Sequence, residues 1–170
     1  VELRGHTVGH YLSALALMYA STGDERFKER GDGIVAELAR VQQASPSKGY
    51  HDGYLSAFPE ELIDRVDARR RVWAPYYTLH KIMAGLLDMY QLAGNRQALD
   101  VLVKQADWVK FRMDRLSREQ QQAMLMTEHG GMVEVLANLY TVTGDPDHLR
   151  VARLFDHAFV LDPLARREDA

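Results

Sequence analysis

At 170 residues without a cysteine, the chain is one domain's worth of sequence, and disulfides, thiolate metal sites and a cysteine nucleophile are excluded within these residues. A formal net charge of −3, with 46% hydrophobic and 26% charged residues, gives no electrostatic reason to expect nucleic acid or an anionic membrane as partner. No apolar run reaches the roughly 18 residues of a membrane span.

The chain opens at Val1, in residues that already read as a helix entry. We therefore expect the natural N-terminus to be missing and draw nothing about export from the lack of a signal peptide. Tyr11 to Ala20 is uncharged and apolar nearly all round, which predicts a helix buried on several sides. It ends at Ser21-Thr22-Gly23-Asp24, where the glycine supplies a left-handed residue and the aspartate caps the next helix. Glu25 to Gln43 is amphipathic, with Phe27, Ile34, Val35, Leu38 and Val41 on one stripe.

The segment from 44 to 75 is punctuated by Pro and Gly, and its Tyr and Trp content argues against disorder. A short helix is predicted over Glu60 to Asp67, and Arg69-Arg70-Arg71 reads as a solvated turn. Tyr77 to Ala93 is the second apolar helix, stopped by Gly94-Asn95, and Gln97 to Leu116 is its amphipathic partner. Ser117 is a candidate N-cap. The third apolar helix follows Glu128-His129-Gly130-Gly131 and stops at Gly144-Asp145. Its partner begins near Pro146 and runs to about Phe159, before Asp162-Pro163 breaks the chain.

The three stops share a pattern: an apolar residue, Tyr, three linkers, Gly, then Asp or Asn. Glycines at 23, 94 and 144 give uneven spacings of 71 and 50 residues, which is poor for a fixed-period solenoid. The pattern suits a ring of helical hairpins whose long loops lie on one rim. Hairpins are expected at approximately 5–43, 77–116 and 129–159, in an all-α fold occupying residues 1–170. His10, His80 and His129 fall 13, 14 and 15 residues before their glycines, about 20 Å along each helix. They should share the opposite rim from the short turns.

Two histidines at i and i+4, His6 and His10, have metal-ligand spacing, but the HExxH glutamate is absent, so helix-entry hydrogen bonding or substrate contact is the better reading. Glycines beside His10 and His129 suit close approach of backbone or ligand. Trp73, Tyr77 and Tyr54 add aromatic faces, which with neutral hydrogen-bonding groups suit a sugar. Glu128 is the most suggestive carboxylate, as a site group or as a charge partner for a helix N-terminus. Asp52, Glu60 and Glu61 are further carboxylates, and a solvated helix start is the favoured reading of the last two.

Four stretches carry a family resemblance: Leu3-Arg4-Gly5-His6 through Val8-Gly9-His10-Tyr11, Gly53-Tyr54-Leu55-Ser56-Ala57-Phe58-Pro59-Glu60, Trp73-Ala74-Pro75-Tyr76-Tyr77-Thr78-Leu79-His80-Lys81, and Glu128-His129-Gly130-Gly131-Met132. In these the chain resembles the β-L-arabinofuranosidases of glycoside hydrolase family 127, bacterial proteins that are cytoplasmic or exported. The resemblance implies part of an (α/α)6 toroid and the release of terminal L-arabinofuranose, or a related sugar, by the complete domain. It also implies a zinc-bound cysteine nucleophile and a glutamate acid/base, none of them among these residues. No catalytic group, metal ligand or cofactor is therefore assigned here, and the segment alone is expected to be inactive. His129 matches the substrate-contacting histidine of the third hairpin, while His80 and Lys81 compete for the equivalent place in the second. Val133 stands where members carry Asn, which alters the local polar network.

The expected sugar-contacting set is His129, His80, His10, His6, Tyr54, Trp73, Tyr77 and Glu128, with a carbohydrate as partner and neither nucleic acid nor membrane. Self-association through the open faces of a partial ring is also expected. Two other readings stay open: a hairpin scaffold for a protein partner, and a non-hydrolytic carbohydrate-binding homologue. Histidines scattered over separate faces would favour the scaffold.

Overall fold

The computed structural model describes residues 3–128 and 131–168. Its described residues form helices and no strands. Three pairs dominate: α1 (His6–Thr22) with α2 (Glu25–Ala44), α4 (Pro75–Ala93) with α5 (Arg96–Asp114), and α7 (Met132–Thr143) with α8 (Pro146–Leu154). Between them lie α3 (Glu61–Asp67) and α6 (Arg118–Leu125), and α9 (Ala158–Ala165) follows.

The turns within the pairs are built as their residues dictate. Gly23, Gly94 and Gly144 adopt φ of 67°, 70° and 71°, in the left-handed region that disfavours residues with a Cβ. The next residue then caps the following helix: Asp24, Asn95 and Asp145 accept from the backbone N–H groups of Arg26, Ala98 and Asp147. Ser117 forms a reciprocal capping box with Gln120 at the start of α6.

The inner helices α1, α4 and α7 run parallel, with α1 against α4 and α4 against α7, while α2, α5 and α8 form the second layer. The seam between α1 and α4 is unusually close. A Cβ on Gly9 would overlap the Lys81 carbonyl and lie 2.6 Å from the Ile82 nitrogen. One on Gly85 would lie 2.5 Å from the Gly9 oxygen. The two backbones touch, which fixes the register of the helix ends that carry His6, His10, Tyr77 and His80. α4 is the hub of the core, with Leu79, Met83, Leu86 and Met89 fully buried.

The long segment before α4 is ordered by buried polar side chains rather than by ladders. Gln42 Nε2 donates to the Gly53 and Val101 carbonyls at 3.0 Å each, and Gln105 Nε2 donates to Leu55 O at 3.1 Å. These amides satisfy loop carbonyls that water does not reach. Arg112, 4% exposed, pairs with Asp64 at 2.6 Å and with Asp67, tying α5 to α3.

Several expectations are corrected. α1 buries only Gly9, Leu12, Leu15 and Ala16, while Tyr11, Leu17 and Met18 are exposed, because its neighbours are chiefly α2 and α4 on one side. Val41 is exposed rather than on the buried stripe of α2. Glu60 is not a solvated helix start: it is buried and accepts from Trp108 Nε1 at 2.6 Å and from His51 N at 2.9 Å. Glu61 is exposed and pairs with Arg65. The partner of the third apolar helix ends at Leu154, not near Phe159, and Pro163 lies inside α9 instead of breaking the chain. Pro163 removes one N–H from that short helix without preventing its last turn, where Arg166 N still reaches Asp162 O at 3.1 Å.

Candidate functional site

Because the inner helices are parallel, their N-terminal ends share one rim, and most of the sequence-derived candidates lie there. The His6 and His10 rings are 5.9 Å apart, edge to face, as i and i+4 on α1 require. His6 is 6.2 Å from the Tyr77 ring, and Tyr77 is 5.8 Å from His80. His6 Nδ1–H donates to Leu3 O at 2.6 Å, which fixes the ring at the start of α1. Lys81 Nζ stands 5.1 Å from the Tyr77 ring centre, a cation–π contact that adds an ammonium to the cluster.

A cleft of about 400 Å³ opens between these elements, lined by Leu3, His6, Trp73, Ala74, Tyr77, Thr127 and Glu128. Trp73 is 62% exposed on its wall, a large flat face held out toward solvent. A much smaller cavity continues beneath it, sharing Tyr77 and Glu128 and reaching His80 and Gly131. At its edge the second and third hairpins come into contact: a Cβ on Gly131 would lie 2.5 Å from His80 Nε2, so glycine lets the imidazole rest on the start of α7.

The electrostatics favour neutral hydrogen bonding. Burial, helped by Lys81, holds His80 below the usual imidazole value, and His10 is lowered by desolvation, then Lys81 and His6. Neutral imidazoles offer one donor and one acceptor each, which matches hydroxyl groups. Glu128 is 8% exposed, and its two carboxylate oxygens accept from the backbone N–H groups of Tyr76 and Tyr77 at 2.9 Å each. Burial pushes it up to about 7, and those two bonds pull against the rise. Of the two roles open to it in sequence, the charge partner of a helix N-terminus is the one its geometry satisfies.

Tyr54 stands apart from this cluster. Its ring is 1% exposed, packs 4.9 Å from Trp108, and its hydroxyl donates to Phe58 O at 2.6 Å. It lines a separate cleft with Arg40, Lys48 and Tyr50. His129 lies outside the described residues. Lys81 and Thr127 join the rim, Lys81 through the same spacing that placed His80, and Thr127 with no pattern that marks it.

Among the described residues no group of three His, Asp or Glu side chains converges to hold a metal ion, and the chain has no cysteine. The donor set for the zinc implied by the resemblance does not fit on these described residues.

Parallel inner helices with functional groups at one rim, backed by a second layer, define part of an (α/α)6 helical toroid. The family model described as "Beta-L-arabinofuranosidase, GH127 catalytic domain" matches residues 1–170, so the chain belongs to that family. Among solved structures, a GH127 β-L-arabinofuranosidase from Geobacillus stearothermophilus T6 is similar in fold, with a TM-score of 0.68 and 19% sequence identity. That match covers 100% of this chain and 26% of the other. No curated protein matches significantly.

Proposed function

We propose that these residues form the sugar-facing rim of a glycoside hydrolase domain acting on terminal L-arabinofuranose or a closely related sugar. The observation that carries this reading is the convergence of His6, His10, Tyr77 and His80 beside the Trp73 cleft, rather than their dispersal over separate faces. The chemistry matches a neutral polyol: aromatic faces, imidazoles that both donate and accept, and an ammonium. His129, by its sequence position beside Glu128, belongs to the same set. Tyr54 serves this rim indirectly, by holding the 53–60 loop against α5.

The chain by itself binds the sugar weakly and does not hydrolyse it, because the nucleophile, the acid/base and the zinc donors of the family reaction are not among its residues. Titration with L-arabinose and methyl β-L-arabinofuranoside, followed by amide chemical shifts, tests the binding. Incubation with an aryl β-L-arabinofuranoside, with and without zinc, tests the turnover. Saturable shifts without turnover are expected. Zinc-dependent release of arabinose would refute the inactivity, and shifts absent from the rim would refute the binding.

The exposed apolar side chains of α1 and α9, among them Leu17, Met18, Phe159 and Leu164, support a second role as a surface for protein contact. Concentration-dependent self-association in sedimentation velocity is its expected sign, and a monomer at all concentrations would contradict it.

A further inference from the structure

Glu128 is buried without an ion pair among the described residues, and it spends both oxygens on two successive backbone N–H groups of another hairpin. Those N–H groups belong to the first turn of α4, which has no side-chain cap of its own: Ala74 is its N-cap and Pro75 its first residue. The bond therefore joins chain positions about 50 residues apart, linking the segment that leads into α7 to the turn that carries Tyr77, His80 and Lys81. It also anchors the chain one peptide bond before His129.

We propose that Glu128 is a positioning residue, a carboxylate latch whose ionised form aligns the second and third hairpin tips for sugar binding. This rests on the sugar-binding reading of the rim. The chemistry is specific to the charged form. An ionised carboxylate offers acceptors to both N–H groups, whereas a protonated one turns an O–H donor toward one of them and loses that bond. The helix dipole adds to the preference for negative charge at this end of α4.

The surroundings leave the latch poised to titrate. Among the described residues the titratable and charged groups about it are Tyr76, Tyr77 and His80 of α4 and His6 of α1, with Arg112 and Asp67 acting on Tyr76 in turn. Among the described residues no cation pairs with the carboxylate, and burial raises it to about 7 against the pull of its two hydrogen bonds. Sugar affinity should then follow the ionised fraction. With that midpoint, about one chain in ten is ionised at pH 6, so affinity should fall about tenfold between pH 8 and pH 6 if only the ionised form binds.

The test uses the whole chain and its E128Q variant, followed by amide spectra and by titration with methyl β-L-arabinofuranoside from pH 6 to 8.5. In the wild type the Tyr76 and Tyr77 amide protons should titrate with a midpoint near 7 without sugar, and E128Q should abolish that titration. E128Q, which has no ionised form, should bind the sugar more weakly than the wild type at pH 6, with little pH dependence above pH 6.5. Circular dichroism should show both chains equally helical. Tyr76 and Tyr77 amides that do not move with pH would overturn the latch. So would E128Q that binds as tightly as the wild type. Amides identical in the two chains while E128Q loses binding would place Glu128 on the sugar itself and overturn the positioning role. Absence of sugar binding by the wild type at every pH would sink the sugar reading, and the amide titration would still decide whether the latch exists.

Discussion

Replacing Gly9 by alanine should damage both the fold and the rim, whereas the same change at Gly33 should stabilise the protein. Both glycines lie within helices, so each substitution gains up to about 1 kcal/mol of intrinsic helix propensity. At Gly33 nothing lies within 4 Å of the new Cβ, and that gain stands alone. At Gly9 the new atom meets the Lys81 carbonyl and sits 2.6 Å from the Ile82 nitrogen, all of it backbone. Restoring ordinary contacts of about 3.5 Å with the Lys81 carbonyl requires α1 and α4 to part by roughly 1.5 Å, which forfeits much of the dispersion along the seam. Overpacking of this kind costs about 1–3 kcal/mol, with the upper end expected because neither helix backbone can rotate out of the way. For a chain of this size that corresponds to a Tm lower by roughly 5–10 °C. Thermal and urea unfolding followed by circular dichroism at 222 nm measures both variants. Gly9→Ala as stable as Gly33→Ala would show that the helices are not in backbone contact.

Arg112→Ala should cost about 3–5 kcal/mol in urea unfolding, since it leaves Asp67 buried without its cation, while a loss below 1 kcal/mol would show the triad to be solvated. Tyr54→Phe should lower stability by about 1–2 kcal/mol by stranding the Phe58 carbonyl, and leave sugar affinity nearly unchanged; a large loss of affinity at full stability would return Tyr54 to the sugar site. The pH dependence of stability carries a definite sign. Glu128 is raised from 4.5 to about 7 on folding, so its contribution is greatest below 4.5 and is lost as pH rises toward 7. Between pH 5.5 and 8 that loss is about 2 kcal/mol, and E128Q should lack it. His80 and His10 are lowered on folding, so their contributions have the opposite sign and are lost as pH falls below 6.5. The wild type and E128Q share them, so the difference between the two chains isolates Glu128. Equal slopes of stability against pH would contradict its burial as a titrating acid.

The hairpins were legible because their turns are local chemistry. Gly23, Gly94 and Gly144, each followed by Asp or Asn, encode a left-handed residue and a cap within two positions, and the spacing of His10 and His80 from these glycines sets both near the same helix ends. What escaped is nonlocal. Arg112 reads as an ordinary charge on an amphipathic helix, and only the fold brings Asp64 and Asp67 to it from 48 and 45 residues away. Glu60 looked solvated because its partners Trp108 and His51 lie 48 and 9 residues off. Tyr54 lies in one of the stretches that carry the family resemblance but is turned into the core, where its hydroxyl donates to Phe58 O. The exposed face of α1 follows from which helices flank it, which an apolar stretch alone does not state. Glu128 was ambiguous for the same reason: a carboxylate near a histidine suits catalysis or capping, and the amides it caps belong to another hairpin.

The most direct measurement is the amide-resolved titration of the whole chain with methyl β-L-arabinofuranoside at pH 8. A sugar-facing rim predicts saturable shifts centred on His6, Trp73, Tyr77, His80 and Lys81, with the turns at Gly23, Gly94 and Gly144 unmoved. No saturable shift, or shifts centred on those turns, would contradict it.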